Sequence, residues 1–158
     1  MCDAVKIPVI AAGGIADGRG MAAAFMLGAA GIQMGTRFMV AKECTVHQNY
    51  NNRILSAKDI DTILTGKHLG HPVRCLKNEL SRAIYEKEYD MTVTNDELEC
   101  MGTGALRRAS VDDEIANSTI MAGQTAAMVT KEKTSREIIS EIMSEAEQLL
   151  KGAVKWVE

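Results

Sequence analysis

A short apolar run near the N-terminus, Ile7-Pro8-Val9-Ile10-Ala11-Ala12, closed by Gly13-Gly14, constrains the fold more than any other feature. An apolar run without polar alternation is the habit of a strand covered on both faces, as in parallel sheets. Pro8 fits only near the start of such a strand, where its missing N–H is tolerated. The strand needs a neighbour on each edge. Six residues precede it, too few to supply one, so the sequence predicts a chain that is part of a larger sheet.

The residues after Gly14 predict how the first neighbour is reached. Met21 to Gly28 is rich in Ala, Met and Leu, with high helix propensity. Asp17 is a fitting N-cap, and Gly28 or Gly31 can end the helix in a left-handed turn. Gly31-Ile32-Gln33-Met34-Gly35 reads as a second short strand. A crossover of this kind joins parallel strands. Further on, 42–64 has helical spacing, with Tyr50, Ile54 and Ala57 on one face. Thr65 to Pro72 is a breaker-rich loop. Val73 to about Tyr89 reads as a helix, with Leu76, Leu80 and Ile84 at four-residue steps. Asp90 to Gly104 reads as an irregular connection, 104–109 as a short helical turn and 111–117 as an acidic loop. Ser118 to Gln124 is expected to open a helix reaching Val129. A last helix starts at the capping-box pattern Thr134-Ser135-Arg136-Glu137. The predicted organisation is a strand–helix–strand unit over 1–41, a helical and loop region over 42–117, and C-terminal helices over 118–158.

Bulk properties exclude several function classes. The 158 residues carry a net charge of −3, which offers no electrostatic footprint for nucleic acid or an anionic membrane. No apolar run approaches the roughly 20 residues that span a bilayer. The first residues lack a basic segment followed by an apolar one, so no secretory signal is expected. Cys2, Cys44, Cys75 and Cys100 form no CxxC pair, which argues against a zinc knuckle or redox pair and for reduced thiols in the cytoplasm.

The chemistry concentrates at two glycine-bearing strand ends, Ala12-Gly13-Gly14 and Met34-Gly35-Thr36. Glycine admits positive φ and close approach of a ligand to the backbone. Successive free N–H groups at a strand-to-helix turn make an anion nest. In a (β/α)8 barrel the loops after strands 7 and 8 commonly hold a phosphate. Thr36 adds a hydroxyl. The plain alternative is a pair of tight turns. A dinucleotide-binding fold does not fit, because Gly13-Gly14-Ile15-Ala16-Asp17-Gly18 is not GxGxxG.

The run Ile7 to Gly20, with Gly31 to Phe38, closely resembles the flavin-phosphate region of the nitronate monooxygenase superfamily. The resemblance continues through Asp59 to Thr62, Gly70 to Arg74, Lys77-Asn78, Met101 to Leu106 and Met121 to Gln124. It looks most similar to the enoyl-ACP reductase II branch, with nitronate monooxygenase as the alternative. The resemblance implies an α/β fold, the C-terminal part of a (β/α)8 TIM barrel (strands 7 and 8) with an appended helical region. It implies FMN as cofactor, NADH or NADPH as co-substrate and an acyl carrier protein thioester as substrate. Gly14, Gln33, Met34, Gly35 and Thr36 are expected to contact FMN, chiefly its phosphate. Gly13 is expected to shape the turn, and Gly123 and Gln124 to lie near the flavin. No catalytic residue is expected in this chain, because the family's catalytic histidine belongs to earlier strands. Association as a homo-oligomer, or with the other half of the barrel, is expected, and no membrane partner.

The remaining polar residues carry weaker signals. His47 reads as a polar face residue. His68 and His71 lack further ligands nearby, so no metal site is expected. Arg74, Lys77 and Asn78 either face the substrate or nucleotide phosphates or form a solvated helix face. Arg37 either helps neutralise the FMN phosphate or pairs with a carboxylate. Met21, Met26, Met34 and Met39 read as core filler, and Asp112-Asp113-Glu114 as a solvated charge run.

Overall fold

The computed structural model describes residues 1–156. Strand β1 (Ile10–Ala12) pairs in parallel with β2 (Gly31–Gln33), Ala11 opposite Ile32, and helix α1 (Gly18–Met26) makes the crossover. Asp17 caps α1 by accepting from the Gly20 N–H at 3.1 Å. Gly28, at φ 91°, ends the helix, and Gly31 is left to open β2. The strand is shorter than the apolar run, and it is not covered on both faces. Ile7 and Ile10 are 72% and 55% exposed. The reason is topological: among the described residues β1 has β2 as its single neighbour.

Short helix α2 (Thr36–Met39) follows β2, and α3 (Gln48–Leu55) then brings Tyr50 and Ile54 into the core. The stretch beyond departs from the expected helices. Residues Thr62–Thr65 form β3 and Val73–Leu76 form β4, an antiparallel hairpin with Ile63 opposite Cys75. The four-residue steps of Leu76, Leu80 and Ile84 run across a helix start. Leu76 ends a strand, Asn78 caps helix α4 (Glu79–Lys87), and Leu80 and Ile84 lie on that helix. The expected irregular connection contains α5 (Asn95–Gly102), begun by a Thr94–Glu97 capping box. Helix α6 (Ala105–Ser110) takes the place of the predicted helical turn.

The segment after Ser118 also differs from the expected helix. It runs extended beside β4, with the Leu76 N–H donating to the Ile120 carbonyl at 2.9 Å and Cys75 bridging Met121. Only Gln124–Met128 coils, as a 3-10 helix. Pairing with an existing strand satisfies backbone groups that a helix of small residues would satisfy at lower packing gain. Helix α7 (Ser135–Gly152) begins at its capping box as predicted, with the Glu137 carboxylate accepting from the Thr134 N–H at 2.7 Å.

Two main cores result. One gathers Val40, Tyr50, Ile54, Leu76, Ile120 and Val129 between α3, the hairpin and the 3-10 helix. The other joins Met21 and Ala22 of α1 to Ile138, Ile142 and Ala146 of α7. Contact there is so close that a Cβ on Gly18 would lie 2.6 Å from the Ala146 nitrogen. The Gly18 N–H donates to the Glu145 carboxylate at 2.7 Å. Met34 and Met39 pack on the cores and Met21 is buried, but Met26 is 74% exposed and fills nothing.

Candidate functional site

Parallel pairing carries both glycine-bearing strand ends to the same edge of the sheet. Ala12 lies opposite Gln33, so Gly13-Gly14 leaves the sheet beside Met34-Gly35. Gly13 and Gly14 both have positive φ, 89° and 74°. A Cβ on Gly13, Gly14 or Gly35 would meet nothing within 4 Å. The Gly14 and Gly35 N–H groups find no acceptor among the described residues. Unpaired donors beside open space are the donor set an anion requires. The N-terminus of α1 is not part of that set, because Asp17 and Glu145 already accept from its first N–H groups.

Tertiary folding brings Gly123 to this edge. Its N–H donates to Thr36 Oγ1 at 2.9 Å, and a Cβ there would sit 3.5 Å from the same oxygen. Gly35, Thr36 and Gly123 line a cavity of about 350 Å³, together with Met39, Tyr50, Arg74 and Met121. Gln33 and Gln124 are exposed, Met34 is half-buried, and none of the three lines this cavity.

Arg74 is the cavity's cation. It projects from β4, and its Nη1 donates to Thr62 Oγ1 at 3.1 Å. Its two companions in the sequence pattern do other work. Lys77 Nζ donates to the Ile60 carbonyl at 2.6 Å, and Asn78 caps α4 while donating to the carbonyls of Ile115 and Ser118. These three residues are therefore not a solvated helix face. Arg37 is buried and directed elsewhere: it donates to the Lys131 carbonyl at 3.3 Å and lies 3.9 Å from Glu141. Of its two readings, carboxylate pairing is the one the geometry has.

Tyr50 was visible in the sequence as a helix-face residue but not as part of a site. Its hydroxyl donates to the Met121 carbonyl at 2.8 Å, and burial pushes its pKa up to about 12. A buried tyrosine needs a partner for its hydroxyl, and that rule was the available signal. The histidines stay apart. His47 caps α3 and lies 2.7 Å from Asp113, so the acidic run is engaged with it. Arg107 and Arg108 pair with Asp112 and Glu114. His68 packs edge-on to Tyr89, and His71 lies in the hairpin loop. Among the described residues no group of His, Cys, Asp and Glu could hold a metal ion, and no helix is long and apolar enough to cross a membrane.

Comparison with known proteins follows the same residues. The nitronate monooxygenase family model matches residues 1–145. A probable nitronate monooxygenase of Staphylococcus saprophyticus is 34% identical over 95% of this chain and 42% of its own length. The solved structure of FabK from Thermotoga maritima is 42% identical, with a TM-score of 0.92 over 98% of this chain and 49% of that one. A nitroalkane oxidase from Streptomyces ansochromogenes is 25% identical with a TM-score of 0.75, over 95% and 42% respectively. The chain thus has the α/β fold of these proteins and spans about half the length of the relatives it matches. With the match running through both glycine-bearing strand ends, the hairpin and most of α7, the chain belongs to the nitronate monooxygenase family.

Proposed function

We propose that this chain is the flavin-phosphate part of an FMN-dependent oxidoreductase, contributing strands 7 and 8 of a (β/α)8 barrel. The observation that carries this reading is the pair of unpaired N–H groups at Gly14 and Gly35, two positions where an added side chain would meet nothing within 4 Å. Those groups, with Gly13 shaping the turn and the Thr36 hydroxyl beside them, would hold the phosphate. Gln33, Met34, Gly123 and Gln124 would border the rest of the cofactor, and residues 42–117 would cover the mouth of the barrel. The cavity at Thr36, Tyr50 and Arg74 would take the reacting end of the substrate, with Arg74 polarising an oxygen there.

The resemblance of the segments from Ile7 to Gln124, taken together, to the enoyl-ACP reductase II branch supports reduction of an enoyl thioester carried on acyl carrier protein, in the cytoplasm. FMN, when bound, supplies hydride transfer, with NADH or NADPH as the reductant. The catalytic side chains would come from the other barrel half, and with it the closed sheet or a homo-oligomer. Oxidation of alkyl nitronates is the second reading, favoured by the family match and by the Staphylococcus saprophyticus relative.

The deciding experiment uses a full-length protein carrying this chain. NADH oxidation is followed with a crotonyl thioester, and oxygen uptake with propionate 3-nitronate. Turnover of the thioester alone supports the reductase reading. Turnover of the nitronate alone replaces it with the second. An apoprotein that binds no FMN sinks both.

A further inference from the structure

A second cleft, of about 490 Å³, lies between the hairpin and helices α4, α5 and α6. The phosphate cradle does not use it. Apolar side chains, among them Leu69, Val73, Ile84 and Leu98, make most of its wall, and His71, Glu99 and three threonines stand in the rest. Among the described residues no lysine or arginine lines it, and Glu99 does, so a phosphate or carboxylate would find no lysine or arginine to pair with there. Its volume is ordinary for a small-molecule pocket, which runs from roughly 300 to 1,000 Å³. Leu106 and Met121 line both this cleft and the cavity at Gly35 and Thr36. The two spaces therefore share a wall. Both side chains are apolar yet 40% and 38% exposed, as expected where they border a cleft instead of packing into a core.

One residue at the cleft has room to change. Gly102 ends α5, lines the cleft, and a Cβ on it would meet nothing within 4 Å. Its φ is not positive, so a side chain there brings no backbone strain.

We propose that this cleft holds the apolar tail of a substrate whose reacting end lies in the cavity at Gly35 and Thr36, and that Gly102 limits the tail length. The assignment rests on reading that cavity as the reaction site. Apolar tail and apolar wall are matched by the hydrophobic effect, which grows with each buried methylene. A small alkyl nitronate would leave the cleft empty, whereas a medium-chain acyl thioester would fill it.

The test is calorimetric titration of a full-length protein carrying this chain with butanoyl and decanoyl N-acetylcysteamine thioesters. Decanoyl should bind more than about tenfold tighter, because each added methylene contributes to burial. Gly102→Phe should remove that advantage and leave butanoyl within about twofold. Gly102→Leu should give an intermediate loss, and it serves as the reading if a thermal melt shows that the phenylalanine disturbs the fold. Equal affinity for the two lengths overturns the proposal, as does a decanoyl preference that survives both substitutions. A parallel FMN titration separates the two readings. Discrimination of tail length without FMN binding sinks the flavin cradle and leaves the cleft standing. FMN binding without discrimination sinks the cleft alone.

Discussion

At Gly14 and Gly35 one added side chain separates two effects. Both glycines face open space, but only Gly14 has positive φ. Gly14→Val should therefore lose FMN and also destabilise the fold by about 1–2 kcal/mol, the cost of a left-handed L-residue. Gly35→Val should lose FMN with little change in stability. Flavin fluorescence quenching and a thermal melt on each variant of a full-length protein carrying this chain check this, and unchanged FMN affinity in both would remove the cradle. Tyr50 carries a different prediction. Its raised pKa means that the native state holds the protonated phenol more tightly than the unfolded chain does. That stability is complete below the ordinary value near 10 and is lost as the pH rises towards about 12. Tyr50→Phe should lack this alkaline loss. At neutral pH it should cost about 1–3 kcal/mol, because the Met121 carbonyl loses its donor. Urea unfolding across that pH range measures both. Thr36 and Gly123 show why single residues were only partly legible. Each stands in a small-residue segment, but their hydrogen bond joins positions 87 residues apart, and no local pattern encodes that distance.

Helix α7 is held by two devices of different legibility. Its capping box reads directly from Thr134-x-x-Glu137, because the donors it satisfies are within one turn. Thr134→Ala should cost about 1 kcal/mol. Its close seat on α1 is invisible in the sequence, since Gly18 and Ala146 are far apart in the chain. Gly18→Ala would place a methyl 2.6 Å from the Ala146 nitrogen. It should cost about 1–3 kcal/mol through overpacking, despite the better helix propensity of alanine. Chemical denaturation of both variants tests the ranking. A stabilised Gly18→Ala protein would mean that the helices separate freely. The hairpin illustrates the opposite failure. Thr62–Thr65 and Val73–Leu76 are four residues each, too short for periodicity to tell strand from helix. The Thr94–Glu97 box was legible by the same rule as Thr134–Glu137, and its surroundings of polar residues hid it.

As a molecule, the chain leaves its first strand with one edge unpaired among the described residues, and with Ile7 and Ile10 in solvent. Such an edge invites pairing with another chain. The chain alone is expected to associate, or to exchange its amides quickly over residues 10–12. Size-exclusion chromatography with light scattering and hydrogen exchange decide this, and a monomer with slow exchange there contradicts it. Co-expression with the complementary N-terminal half of a family member should restore solubility and FMN binding together. The chain by itself should show no NADH-dependent turnover, since the reacting groups must be held in one geometry.

Sequence alone determined what depends on neighbours along the chain. The strand–helix–strand unit, the Asp17 cap, the glycine turns at Gly13-Gly14 and the start of α7 all follow from residues within a few positions of one another, because dihedral preference and capping are local. Even the family could be read from those runs. Tertiary structure decided what depends on distant segments meeting: Gly123 donating to Thr36, Arg74 turning into the cavity while Lys77 and Asn78 brace the chain, and Arg37 leaving the cradle for Glu141. Those contacts are selected by packing of the whole chain, where burial and hydrogen bonding between remote elements outweigh any single residue's local preference.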